Sequence, residues 1–350
     1  MKTIFTITFL LGYIIAQAQQ DSLPEVSART GKKRKIFEAV YPIGENPNIG
    51  YKTSMVSQET ILFEANPFLR LSLINTMDKF MSSVPNKNWK LKNWGFAWYI
   101  SYRPQLRMYT DNSMPVKTPS CKISIIGLQL AKVFERGEDR LSMLAFSFES
   151  GHFSNGQDRS AFNADIADGT EQSDSVYNLI TDKTNLSKIL NRNSGNFSTN
   201  YTEILASYKW FLSTDDKYRP MKTLSLQGGV TVYHDKLLFV GNIGGYSDAD
   251  IKIYGRNRFT FGGSYMWRLN KTDLNRFVVS VNTEVIVKPH PSVESWRTEF
   301  TATYFMHNNM GFFLSASAGH DNYNYRFVDS GFQAFGGITF DIFPPVQLKR

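Results

Sequence analysis

Past residue 90 the chain alternates between apolar and polar side chains, position by position, in run after run. Trp94, Phe96, Trp98, Ile100, Tyr102, Leu106 and Met108 take turns with Ser101, Arg103, Gln105 and Arg107. The same period of two returns over 259–269, 277–287 and 296–306. It puts one set of side chains on each face of a β-strand. Twelve strands are expected, near 51–64, 66–76, 94–110, 121–134, 140–153, 197–213, 222–235, 255–269, 275–288, 296–306, 310–320 and 331–343. Most exceed the usual ~5 to 6 residues, whereas a tilted strand crossing a bilayer needs ~9 to 11. Aromatics gather near the ends of the apolar faces, as at membrane interfaces. Charges sit at strand centres on the polar faces, as in a hydrated lumen. Short connections (135–139, 270–273, 307–309) alternate with long ones (154–196, 236–254, 321–330). Two connections break that rhythm: 289–295 is short for its side and 77–93 is long for its own. The pattern predicts an all-β fold, a transmembrane antiparallel β-barrel of about 12 strands. Arg103, Arg107, Arg258, Arg268, Arg276 and Arg297 are expected to line a plugged, charge-paired lumen.

The N-terminus adds an address. Lys2, the apolar run from Ile4 to Ile15, and Ala16-Gln17-Ala18 make a signal peptide over 1–18. Residues 19–50, with the basic run Gly31–Lys35, are expected to form a periplasmic segment. The barrel is expected over 51–343, with 154–196 a long extracellular loop. A short tail, 344–350, follows Phe343. Past residue 20 no apolar run approaches the ~18 to 20 residues of a spanning helix. Cys121 is the single cysteine, which excludes a disulfide scaffold. The net charge is +8. Export argues against nucleic acid as the partner of that charge and favours the anionic lipopolysaccharide surface. The expected location is the cell outer membrane.

Candidate chemistry lies at the end of the strand over 140–153. Alternation puts Leu144, Phe146, Phe148, Ser150, His152 and Ser154 on one face, the apolar one that meets lipid. A serine and a histidine two residues apart on one face can form the pair that nucleophilic catalysis needs, with the imidazole taking the hydroxyl proton. A third group must then hold the imidazole in one tautomer. On the next strand Asn200 shares the outward face of Ile204, Ala206, Tyr208 and Trp210, near the same rim, and Asn196 competes with it there. Glu203 falls on the lumen side. The backbone N–H of Asn155 is a further candidate, as an oxyanion donor. His234, His290, His307 and His320 fall at strand ends or turns and suggest no metal site.

Gly151-His-Phe-Ser-Asn-Gly156 resembles the His-x-Ser-Asn-Gly motif of the outer-membrane phospholipase A (phospholipase A1) family. The resemblance is sharp over about 144–213 and loose elsewhere. It implies a twelve-stranded barrel with a Ser–His–Asn triad on its outside: His152 as base, Ser154 as nucleophile and Asn200 as the orienting residue. It further implies membrane phospholipids as substrate, release of fatty acids, calcium as cofactor and activation as a homodimer. The chain departs from the family in two places. About forty residues separate Ser154 from Asn200, against a short gap in the family. Gln157 follows the motif where the family has an arginine that serves calcium, which leaves Asp158 and Ser160 as weak calcium candidates within an acidic loop. Two other readings stay open: a lipid A deacylase, whose family uses His-x-Ser-Asn with a glutamate as third member, and a non-enzymatic porin-like or binding barrel.

Overall fold

A computed structural model describes residues 41–341 except 58, 78–93, 112–114, 136–140, 216–218, 239, 242–243, 272 and 307–308. The signal peptide, the basic run, His307 and the tail 344–350 lie outside the described residues. The chain runs β1 (Asn48–Lys52), β2 (Ile61–Asn66), β3 (Leu69–Asn75), β4 (Gly95–Tyr109), β5 (Ser120–Glu135) and β6 (Leu141–Ser154). A long excursion follows, with β7 (Arg159–Ser160), β8 (Asn163–Ala167), α1 (Glu171–Asn178) and α2 (Leu186–Ile189). Then come β9 (Ser198–Thr214), β10 (Pro220–His234), α3 (Asp248–Tyr254) and β11 (Asn257–Arg268). The chain ends through β12 (Arg276–Ile286), β13 (Trp296–Phe305), β14 (Met310–His320), a 3-10 turn (Asn324–Val328) and β15 (Ser330–Phe340).

From β4 onward each barrel strand pairs antiparallel with the next, β6 with β9 across the excursion, and β15 returns to β1. β2 lies along the second half of β4, with Ile61 opposite Tyr109. β3 lies along the first half, with Asn75 opposite Ala97. The two are one strand interrupted at Pro67, which has no N–H for the ladder. The result is a closed barrel of twelve strands. The expected strands 51–64 and 66–76 are thereby corrected. The first merges the end of β1 with the start of β2, and the second is the lower half of the interrupted strand. Period-two alternation marks faces, and it does not show where a chain turns back.

The outward face is apolar. Leu69, Leu71, Trp98, Phe146, Ile204, Leu226, Phe261, Phe300, Leu314 and Phe332 are all exposed. Near the short turns, rings on neighbouring strands stack around the outside: Trp267 on Phe277 at 5.2 Å, and Phe277 beside Tyr304 at 4.8 Å. A closed sheet satisfies every backbone group without water, which is what hydrocarbon demands. With its apolar band and aromatic girdle, this is an integral, multi-pass outer-membrane β-barrel. No helix among the described residues is long and apolar enough to cross a membrane.

The lumen is filled. Glu149 receives Arg103 Nη2 on both oxygens at 2.7 Å and the Tyr99 hydroxyl at 2.8 Å, with Arg70 at 3.4 Å. Glu64 binds Lys52 and Arg107, and Arg107 also grips Asp321 through two hydrogen bonds of 2.6 Å. Arg258 pairs with Glu284, Arg268 with Asp215, Arg276 with Asp341 and Arg297 with Glu299. All six arginines expected in the lumen are therefore charge-paired. Residues 41–47, part of the expected periplasmic segment, enter this space. Tyr41 and Ile43 pack with Tyr99, Ala97, Ala131 and Ala145, and Gln129 Nε2 donates to the Ile43 carbonyl at 2.6 Å. At the opposite end the long connections fold over the barrel around a buried aromatic cluster that includes Phe153, Phe197, Tyr233, Tyr254 and Phe327.

The turn after β9 supplies a pH prediction. Burial by itself would raise the Asp215 pKa. The Arg219 backbone N–H and the Arg268 and Arg219 side chains outweigh it and hold the carboxyl below its usual range. A carboxylate whose pKa is depressed in the fold adds stability above its unfolded pKa of about 4, and that stability fades as pH falls through the folded value. Asp215→Asn is expected to flatten the acid limb of the stability curve below about pH 4, read as the urea midpoint against pH in detergent.

Candidate active site

Local packing explains the motif before any chemistry does. At Gly151 the Ile123 carbonyl of β5 comes so close that a Cβ would collide with it, just beside a bulge at Ser124/Ile126. Asn155 is buried and clamps the excursion shut. Its Nδ2 donates to the Gly195 carbonyl at 2.7 Å, and its Oδ1 accepts from the N–H of Phe197 at 3.0 Å. Its own N–H donates to the Phe197 carbonyl at 3.0 Å. That N–H is committed to the ladder, so the expectation of an oxyanion donor at Asn155 is corrected. Gly156, at φ +65°, then turns the chain away.

His152 and Ser154 are half-buried on the outward face of β6, with Glu149 on the lumen side of the same strand. In the β6–β9 register His152 faces Asn200 and Ser154 faces Ser198. His152 Nδ1 lies 3.0 Å from Asn200 Oδ1. The amide orientation follows from its other bonds. Asn200 Nδ2 donates to the carbonyls of Asp235 at 2.9 Å and Gly244 at 2.8 Å. Carbonyl oxygens only accept, so the nitrogen must face them and Oδ1 must face the imidazole. His152 Nδ1 therefore carries the proton and donates, and Nε2 is the basic nitrogen. Asn200 is completely buried although its strand position points outward, because the segment after β10 folds back across it.

The other expected residues go elsewhere. Asn196 donates to Asp168 at 2.7 Å, inside the excursion. Glu203 faces the lumen and pairs with Lys122 at 3.1 Å. The Asp158 carboxylate is 85% exposed, whereas Ser160 is fully buried. They share no cage, and no group of three metal-ligating side chains occurs among the described residues. Asp158 and Ser160 therefore do not converge on one ion, and no step below runs through a metal. His320, expected at a strand end, is fully buried against Glu284.

The sequence reading missed several neighbours. His234 stands opposite Asn200 in the β9–β10 register, with Nε2 at 2.9 Å from Thr202 Oγ1 and Nδ1 at 2.6 Å from the Lys236 carbonyl. Thr202 in turn reaches Ser150 at 3.4 Å. A polar band thus crosses β6, β9 and β10 on the face that otherwise meets lipid. The covering segment was missed as well. Its signal was the Gly241-Asn-Ile-Gly-Gly245 stretch, which begins six positions after a strand that ends in histidine and aspartate.

No protein-family model matches the chain, and no curated protein does. Among solved structures the chain is similar to the outer membrane phospholipase A of Escherichia coli, at 12% identity over 94% of this chain and 97% of that one, with a TM-score of 0.46. It is similar to a Salmonella typhi outer membrane phospholipase described as a dimer with bound calcium, at 12% identity over 85% and 92%, TM-score 0.43. It is similar also to the NanC porin, at 9% identity over 85% and 98%, TM-score 0.37. Enzymes and a porin stand together there. At these scores the likeness carries no argument, and the barrel rests on its own strand pairing.

Proposed function

We propose that this barrel is an outer-membrane serine acyl hydrolase that releases fatty acids from glycerophospholipids, with Ser154 as nucleophile, His152 as general base and Asn200 as the residue that orients the base. The supporting observation is the single tautomer of His152, fixed through Asn200 on the lipid-facing rim two residues from Ser154. Ser154 Oγ attacks the ester carbonyl as its proton passes to His152 Nε2. The imidazolium returns that proton to the departing glyceryl oxygen. Water then cleaves the acyl-enzyme by the same route. Asn200 accepts from Nδ1–H throughout and keeps the ring from rotating. A site on the outside of the barrel suits a substrate that is the bilayer itself.

Two rival readings find less support. A deacylase triad would need a glutamate at the third position, and Glu203 is held in the lumen by Lys122. A porin would need an open channel, and here the lumen carries paired charges and residues 41–47. The test is covalent. A long-chain sulfonyl fluoride in mixed micelles should block fatty-acid release and label one peptide, at Ser154. Label elsewhere, or release that continues after stoichiometric labelling, would discard the assignment. Running the assay with calcium and with chelator decides whether a metal is needed.

A further inference from the structure

We propose that the backbone at Asp235 and at Gly244–Tyr246, after β10, acts as a positioning strap, and that it, rather than the barrel, sets the tautomer of His152, with Gly244 as the residue that lets it seat. The catalytic meaning of this proposal rests on the hydrolase reading; its structural meaning does not.

An asparagine amide can turn over end for end with almost no change of shape, so only its hydrogen bonds decide which atom faces which neighbour. On the barrel wall Asn200 faces the imidazole, and an imidazole accepts either end. If Nδ2 faced it, Nε2 would carry the proton and the base would be lost. The two carbonyls that forbid this, of Asp235 and Gly244, both belong to the strap. A flipped amide would set its oxygen against two carbonyl oxygens and leave its N–H groups without acceptors on a lipid-facing wall, where an unmet polar group is costly.

Gly244 makes the approach possible. Its φ of +54° lies in the left-handed region, which favours glycine. A Cβ there would collide with His152 Cε1 and stand 2.6 Å from Ser198 Oγ. The strap backbone therefore lies directly on the imidazole edge and on the serine opposite Ser154. The strap is anchored beyond this point: Tyr246 is buried in the aromatic cluster, and its hydroxyl donates to the Gly255 carbonyl at 2.6 Å. The anchor lets a loop on the outside of a barrel hold two carbonyls in fixed positions.

The proposal is tested in two arms on full-length protein refolded in detergent. In the first, nitrogen-15-labelled histidine is observed by NMR in the Ser154→Ala protein, where no turnover occurs, and His152→Asn assigns the signal. The parent should show one tautomer, protonated at Nδ1. Gly244→Ala should show a mixture, or protonation at Nε2. In the second arm, with Ser154 present, Gly244→Ala should lower kcat about 100-fold with KM changed less than threefold, and should displace the acid limb of the kcat pH profile. Tyr246→Phe loosens the anchor without crowding the ring, and should move both readouts in the same direction by less. It serves where Gly244→Ala fails to fold. An unchanged single Nδ1–H tautomer and parental kcat in a folded variant would overturn the proposal. Tautomer changes as stated, in a protein whose parent hydrolyses no ester, would keep the strap and discard the hydrolase.

Discussion

Ser154→Ala is expected to cut fatty-acid release from phospholipid micelles by about 10⁴-fold or more while leaving the barrel intact. The two effects separate because of where the residue sits. Its hydroxyl makes no hydrogen bond among the described residues and is half-buried at the last position of β6. Its loss should therefore shift stability by less than about 0.5 kcal/mol. Fatty-acid release and heat-dependent gel mobility, measured on the same preparation, check both halves. Asn200→Ala should cost less activity than Ser154→Ala, because the third member only orients the base. If Ser154→Ala keeps its activity, Ser198 is the hydroxyl to replace next, since it faces Ser154 in the register and lies by His152 under Gly244.

The second large effect is on folding. Glu149→Ala should destabilise the barrel by about 3 to 5 kcal/mol. The carboxylate neutralises Arg103 and contacts Arg70, both in the lumen, and accepts from Tyr99. Without it two guanidinium groups keep the cost of leaving water and lose their nearest anion. Glu203, opposite Glu149 in the register, is already engaged with Lys122. Glu149→Gln should cost less, because it keeps the shape and an acceptor oxygen. The midpoint of urea-induced unfolding in detergent measures both. A change in Glu149→Ala below about 1 kcal/mol would mean that water in the lumen takes over the role of the carboxylate. Because Glu149 and His152 sit on opposite faces of β6 three residues apart, Glu149→Ala also asks whether the lumen network holds the site strand in register. Loss of activity in protein that remains folded would show that it does.

Much of this was legible in the chain because a barrel strand obeys one rule, alternation, over its whole length. Phe146, Phe148, His152 and Ser154 could be placed on one face by counting, and so could Asn200 beside Ile204. Counting also put Glu203 and the six arginines inside. The N-terminal third was less legible. An interrupted strand such as Ile61–Asn75 reads like two strands, and only its pairing along both halves of β4 reveals one. Asn155 illustrates another limit. Its place in the motif suggested chemistry, and the partner that claims its N–H, Phe197, lies far along the chain.

The sequence by itself determined the face, the period and the rim: an exported barrel with histidine, serine and asparagine on its outer surface. These depend on short-range geometry, in which each residue's side is fixed by its neighbour's. Only the tertiary structure decided which asparagine meets His152, which nitrogen of the ring is basic, and that Asp158 and Ser160 do not converge. Those outcomes depend on hydrogen bonds between segments far apart in sequence. The two carbonyls that orient Asn200 come from a loop whose side chains give no sign of it, because backbone groups are the same in every residue and only the fold brings them into place.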